Sequence, residues 1–198
     1  MAAFHRGDLK TAVDVAVLSP SKLYPVQQSL PLVIRHALSL RCKTCRVIEL
    51  RRAAAEDADA VAAAFTASRR DAGAAIPPSV HTPDEDRRFV REVLIGERET
   101  WIALTGENVM GLLTLHDDFI DQLYVASSAQ RSGLGTRFID LAKQLRPEGL
   151  QLWAFVSNAP AQAFYLKHGF VEAERTDGSS NEERSPDIRF VWSPRTSR

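Results

Sequence analysis

Between residues 47 and 193 the spacing of apolar positions changes in an ordered way, and each change marks an element. "RVIEL" reads as a first strand. "AAEDADAVAAAFTASRR" reads as a helix whose early acids Glu56, Asp57 and Asp59 suit the positive end of its dipole. A second helix is predicted over "PDEDRRFVREVLIG", with Thr82 as N-cap, Pro83 in the first turn and Gly96 at the end. "TWIALT" and "NVMGLLTLH", joined through Gly106-Glu107-Asn108, read as a β-hairpin, and "FIDQLYV" follows as a third consecutive strand. From Gly133 to Arg146 the residues Leu134, Phe138, Leu141, Ala142 and Leu145 fall on one face of an amphipathic helix. Pro147 and Gly149 end it, and the apolar density of "LQLWAFVS" predicts a buried strand. Asn158 is placed to cap a short helix "APAQAFYLKH", with Gly169 in a left-handed turn behind it. "FVEAERT" and "DIRFVWS" complete the order β-α-α-β-β-β-α-β-α-β-β.

Residues 1–45 break this regularity. Pro20, Pro25 and Pro31 interrupt their short apolar pieces, and no period is sustained. They are expected to form an N-terminal extension of uncertain order, with a single domain over 46–198. Charge divides at the same place: residues 1–46 carry seven Lys/Arg against Asp8 and Asp14, so the neutral 198-residue chain has a basic start and an acidic body. An acidic body argues against nucleic acid as a partner. The extension has Tyr24 but no alternation of aromatic and basic residues, which argues the same way. Apolar runs are far below the ~20 residues that cross a bilayer. Asp8 and Asp14 do not suit a transit peptide, so a cytoplasmic location without membrane contact is expected. Cys42 and Cys45 have no second ligand pair and do not open a helix after a strand, so neither zinc nor redox chemistry is assigned to them.

The candidate chemistry begins in "LYVASSAQRSGLGTRFIDLAKQL", a strand, a turn with two glycines and a helix. The first N–H groups of a helix lack internal partners and the dipole favours negative charge there, so this turn is a candidate phosphate site. A dinucleotide fingerprint is excluded because Phe138 stands where its third glycine belongs. A P-loop is excluded because Thr136-Arg137 supplies no Lys-Ser/Thr pair. What remains is Gln130-Arg131-Ser132-Gly133-Leu134-Gly135, of the form Q-x-x-G-x-G. It resembles the pyrophosphate motif of the GNAT superfamily of acetyl-CoA-dependent N-acyltransferases. "SNAPAQAFYLKHGF" resembles a second motif of that superfamily: an Asn at a strand end, a helix with an aromatic pair, then Gly-Phe.

The resemblance spans about Arg46 to Ser193 and implies an α/β (α+β) fold: a mixed, largely antiparallel sheet with helices on both faces and a V-shaped splay between the fourth and fifth strands. It implies acetyl-CoA as cofactor, with the pyrophosphate on Gln130, Arg131, Ser132, Gly133, Gly135 and Thr136. The pantetheine arm would lie along the backbone of Leu123 and Val125, and Asn158 would hydrogen-bond to it. By the same match Tyr165 would protonate the departing thiolate, a role that suits a phenol of pKa ~10. An attacking amine must lose a proton, and Asp121 is the candidate base because it shares strand parity with Leu123 and Val125; His116, Asp117 and Asp118 are alternatives. His81 reads as a solvated loop residue. The loop bearing Glu182, Glu183 and Asp187 reads first as a solvated acidic loop and second as a wall of the acceptor pocket. The expected function is transfer of an acetyl group to a primary amine of a small molecule or peptide, by direct attack in a ternary complex, with room for a homodimer. The alternative is a catalytically silent acyl-CoA-binding module.

Overall fold

The computed structural model describes residues 48–194, so the basic extension with Cys42 and Cys45 lies outside the described residues. Among those described, seven strands form one sheet: β1 (Glu49–Arg52), β2 (Glu99–Thr105), β3 (Asn108–His116), β4 (Phe119–Val125), β5 (Leu150–Phe155), β6 (Val171–Arg175) and β7 (Asp187–Trp192). Their spatial order is β1-β2-β3-β4-β5-β7-β6. Every neighbouring pair is antiparallel except β4 and β5, which are parallel. The helices are α1 (Ala58–Ala72), α2 (Pro83–Phe89), α3 (Leu134–Leu145) and α4 (Ala159–Lys167). The order of elements and the mixed sheet agree with the sequence reading, and no helix among the described residues is long and apolar enough to cross a membrane.

Strand alternation divides the core in two. Trp101, Ala103, Leu113, Leu115 and Leu123 face α3 and α4, with Phe138, Tyr165 and Phe190 in the same cluster. Ile102, Leu104, Leu112 and Tyr124 face the other way, against Val61, Phe65 and Phe89 of α1 and α2. A period of two in the strands thus feeds both layers at once. α2 starts as expected: Thr82 Oγ1 accepts from the Glu85 N–H at 3.3 Å, and Glu85 Oε2 accepts from the Thr82 N–H at 2.8 Å, a reciprocal capping box. After Phe89 the helix does not simply run on to Gly96: residues Val90–Ile95 form a π-helical turn, a departure that periodicity does not signal.

The feature that positions the site is the junction of β4 and β5. Their pairing comprises the single register pair Phe119 and Gln151, braced by the Gln151 N–H to Asp118 O at 2.9 Å and Gln151 Nε2 to Asp118 Oδ2 at 2.8 Å. Beyond it the strands part, and β4 keeps only β3 as a ladder partner. The expected splay is therefore present, and it leaves backbone groups of β4 free to pair with something else.

Candidate active site

A cavity of about 700 Å³ fills the splay. Its floor is Leu123, Tyr124 and Val125 of β4, and its far wall is Asn158, Ala161 and Phe164 at the start of α4. Gln130, Arg131, Gly133, Gly135 and Thr136 form one end. Leu123, Val125 and Asn158 are thus brought together with the glycine turn, as the sequence reading expected of one binding surface.

The turn has the features of an anion cradle. Gly133 is the residue before α3 and has φ +89°, a conformation that side chains rarely adopt, and a Cβ there would stand in open space. No side chain caps α3, so its leading N–H groups have no side-chain acceptor. At Gly135 a Cβ would come within 3.2 Å of the Phe164 ring, so this glycine lets α3 pack against α4 at the cavity wall. Arg131 is exposed with φ +58° and lines the cavity, as does Lys167 at the end of α4. Two residues of the motif act on the turn itself. Gln130 Nε2 donates to Val125 O at 3.3 Å, tying the turn to the end of β4. Ser132 Oγ donates to Ala129 O at 2.6 Å within the turn and is not part of the cavity lining. Thr136 Oγ1 is 3.0 Å from His168 Nε2, and Lys143 of α3 donates to His168 O at 2.6 Å, which locks the end of α4 to α3. Asn158 Oδ1 accepts from the Ala161 N–H at 3.2 Å, the expected cap.

The two candidate catalytic residues are placed differently. Tyr165 is fully buried, ringed by Phe164, Phe170 and Phe190 at 5.5, 5.7 and 6.0 Å between centroids, and does not line the cavity. Its hydroxyl is buried without a hydrogen-bond partner, and burial pushes the phenol pKa well above its ordinary value. Asp121 stands apart from the cavity lining and is 2.5 Å from Arg98, both side chains largely buried. Its pKa is raised because desolvation outweighs the attraction of Arg98. Strand parity puts Asp121 on the face of Leu123, and the part of β4 that lines the cavity is Leu123, Tyr124 and Val125.

Residues that the sequence reading did not single out also meet here. Ser68, Asp71 and Ile76 of α1 and the loop behind it line the same cavity. Ser127 Oγ donates to Asp71 Oδ2 at 2.8 Å, which holds the Asp71 carboxyl below its ordinary pKa. These positions are more than fifty residues from the turn they face, so no local pattern could flag them.

A second cavity of about 680 Å³ shares Ile76 with the first and is lined by Arg69, Arg70, Asp86, Ser157 and Ser185. The loop between β6 and β7 covers it through two ties: Arg69 Nη2 to Glu183 Oε1 at 3.1 Å and His81 Nε2 to Glu182 Oε2 at 2.7 Å. The reading of this loop as solvated is corrected here. Glu183 has a side chain 3 % exposed and Asp187 is buried, held by Thr176 Oγ1 at 2.5 Å and Asn181 Nδ2 at 2.9 Å. His81 is likewise a paired side chain, 21 % exposed.

The acetyltransferase (GNAT) domain family matches residues 96–172, which contain β2 to α4 and the whole glycine turn. A Mycobacterium tuberculosis protein named as a probable N-acetyltransferase is 35 % identical over 102 residues, covering 48 % of this chain and 51 % of that protein. The chain thus spans about half the length of that relative. Among solved structures, YjaB of Escherichia coli in its apo form superposes with a TM-score of 0.59 at 23 % identity, covering 74 % of this chain and 97 % of that one. An acetyltransferase of Thermus thermophilus gives a TM-score of 0.59 at 18 % identity, with the same coverage of 74 % and 97 %. At these identities the structural likenesses concern the fold. The matched domain and the curated relative make this chain similar in sequence to GNAT acetyltransferases over part of its length, and the solved structures share its fold.

Proposed function

We propose that the protein transfers an acetyl group from acetyl-CoA directly to a primary amine in a ternary complex. The observation that carries this reading is the cavity in the β4–β5 splay, which joins an uncapped helix N-terminus to unpaired strand backbone and to Asn158. The residues fit the cofactor. Gly133, Gly135 and Thr136 would receive the pyrophosphate on the first N–H groups of α3, with Arg131 and Lys167 adding positive charge at the rim. Leu123 and Val125 would pair with the amides of the pantetheine arm as an added strand takes its place in a sheet. Asn158 uses Oδ1 for its helix cap and keeps Nδ2 to donate.

Acetyl-CoA supplies a thioester activated for acyl transfer. As the amide C–N bond forms and the C–S bond breaks, the nitrogen must shed a proton and the sulfur must gain one. Tyr165 would be the donor: its burial keeps the phenol protonated, and its hydroxyl has no partner to release. The amine would reach the acetyl group from the second cavity, since the two meet at Ile76. A second reading, acyl-CoA binding without turnover, is favoured by one observation, the complete enclosure of Tyr165 away from the cavity lining.

Calorimetric titration with coenzyme A tests the site. Wild type binds, and Gly133→Glu, which places a carboxylate where the pyrophosphate would lie, loses ~2 kcal/mol or more. Equal affinity in a folded variant would reject the assignment. Thiol release from acetyl-CoA in the presence of amines separates the two readings, because a silent module binds and releases none.

A further inference from the structure

Where the end of α4 meets the glycine turn, the structure carries a hydrogen-bond chain that anion binding by backbone alone does not require. His168 is the C-cap of α4 and lines the cofactor cavity together with Thr136. Its Nδ1 is 2.8 Å from Phe164 O, and a carbonyl only accepts, so Nδ1 carries the proton of the neutral ring. Nε2 is then a lone pair, and Thr136 Oγ1, 3.0 Å away, donates to it. This direction bears on the pyrophosphate. With its single proton spent on His168, Thr136 keeps only lone pairs for the cavity, and a pyrophosphate brings only acceptors. The ring is held in place: it packs on Phe164 at 4.3 Å between centroids, and Lys143 Nζ donates to the His168 main-chain O at 2.6 Å.

We propose that His168 is a positioning residue for the cofactor: on binding, its ring takes a proton from solvent, and the Nε2–H so formed donates to Thr136 Oγ1 and releases the Thr136 hydroxyl to donate to the pyrophosphate. The proposal rests on the acetyl-CoA reading and adds to it a linkage between pH and affinity. Only a proton moves. Neutral imidazole becomes imidazolium, the Nδ1–H bond to Phe164 O stands, and the bond to Thr136 reverses direction. Imidazole is the side chain that gains its charge between about pH 5 and 8. The charges around the ring decide what the ligand adds. Lys143 of α3 reaches His168 O, and Lys167 of α4 and Arg131 of the turn line the same cavity, so without an anion the neighbouring cations oppose an imidazolium. Asp140 of α3 acts on Lys143, and β7 presents Trp192, whose ring lies 4.6 Å from Lys143 Nζ. A pyrophosphate reverses that balance and favours the protonated ring.

Calorimetric titration of the full chain in buffers of different ionisation enthalpy counts the protons taken up on binding. The ligand is dephospho-coenzyme A, which keeps the pyrophosphate but lacks the 3′-phosphate that itself titrates near pH ~6. Wild type should take up roughly half a proton at the maximum and bind about tenfold more tightly at pH ~5.5 than at pH ~8.5. His168→Gln, whose amide N–H can donate to Thr136 at every pH, should hold its affinity within about twofold across that range. Thr136→Val, of the same shape without the hydroxyl, should reduce the gain to about threefold or less. Wild-type binding without proton uptake, or uptake retained in His168→Gln, overturns the proposal; a full gain in Thr136→Val overturns the hydroxyl's part in it. The wild-type proton count needs no variant, so it decides even if a substitution unfolds the chain. Should coenzyme A alone bind, the difference in proton count between wild type and His168→Gln cancels the ligand's own titration and reads the same quantity. If neither ligand binds at any pH, the cofactor reading itself fails, whereas binding that ignores pH removes only the role of His168.

Discussion

Replacing Tyr165 by Phe should move stability and activity in opposite directions. The hydroxyl of Tyr165 is buried without a partner, and an enclosed hydroxyl left unsatisfied costs on the order of 1–3 kcal/mol. Phe retains the ring against Phe164, Phe170 and Phe190, so the substitution removes that cost with almost no loss of packing. The protein without ligand should gain about 1 kcal/mol or more, which for a domain of this size raises Tm by roughly 2–4 °C per kcal/mol. If the same hydroxyl protonates the leaving thiolate, kcat falls by roughly 10²–10⁴ while coenzyme A affinity stays within about threefold. Scanning calorimetry of the two proteins without ligand, a thiol-release assay and a coenzyme A titration measure all three quantities. A gain in stability accompanied by lost turnover is the pattern of a functional group held in an unfavourable place. A Tm lowered by several degrees would show that the hydroxyl is satisfied in the folded protein, and undiminished kcat would remove Tyr165 from the chemistry.

Two further outcomes follow from the ion pairs. Asp121→Asn should leave kcat/KM within about threefold at every pH, since Asp121 lies outside the cavity and faces Arg98; a loss that shrinks as pH rises would restore it as the base. The Asp57 carboxyl is held below the usual carboxylate range, first by Arg51, whose Nη1 donates to Oδ2 at 2.7 Å, and also by the Ala54 N–H at 2.8 Å. Its depressed pKa contributes stability that is present above the unfolded pKa and is lost as pH falls through the folded one. Acid unfolding of Asp57→Asn followed by circular dichroism should therefore show a shallower loss of stability below pH ~4 than wild type, and identical slopes would contradict the pairing.

Much of this protein is legible in the local chemistry of its sequence. Alternation in "TWIALT" and "NVMGLLTLH" specifies which residues enter each layer, Thr82 and Asn158 cap the helices they precede, and Q-x-x-G-x-G marks a turn whose Gly133 has the positive φ that glycine permits. These signals survive because each depends on residues within a few positions of one another, where backbone geometry is set by sterics and short-range hydrogen bonds. Tertiary structure decided the rest. It set Tyr165 among Phe164, Phe170 and Phe190 and paired Asp121 with Arg98, because motif and parity assign a face and not the partners that distant segments supply. It buried Glu183 against Arg69, 114 residues away in the chain, turning a loop that composition describes as solvated into the cover of a pocket. A carboxylate's environment is the sum of what distant segments bring to it. Charge and spacing along the chain contain no record of that sum.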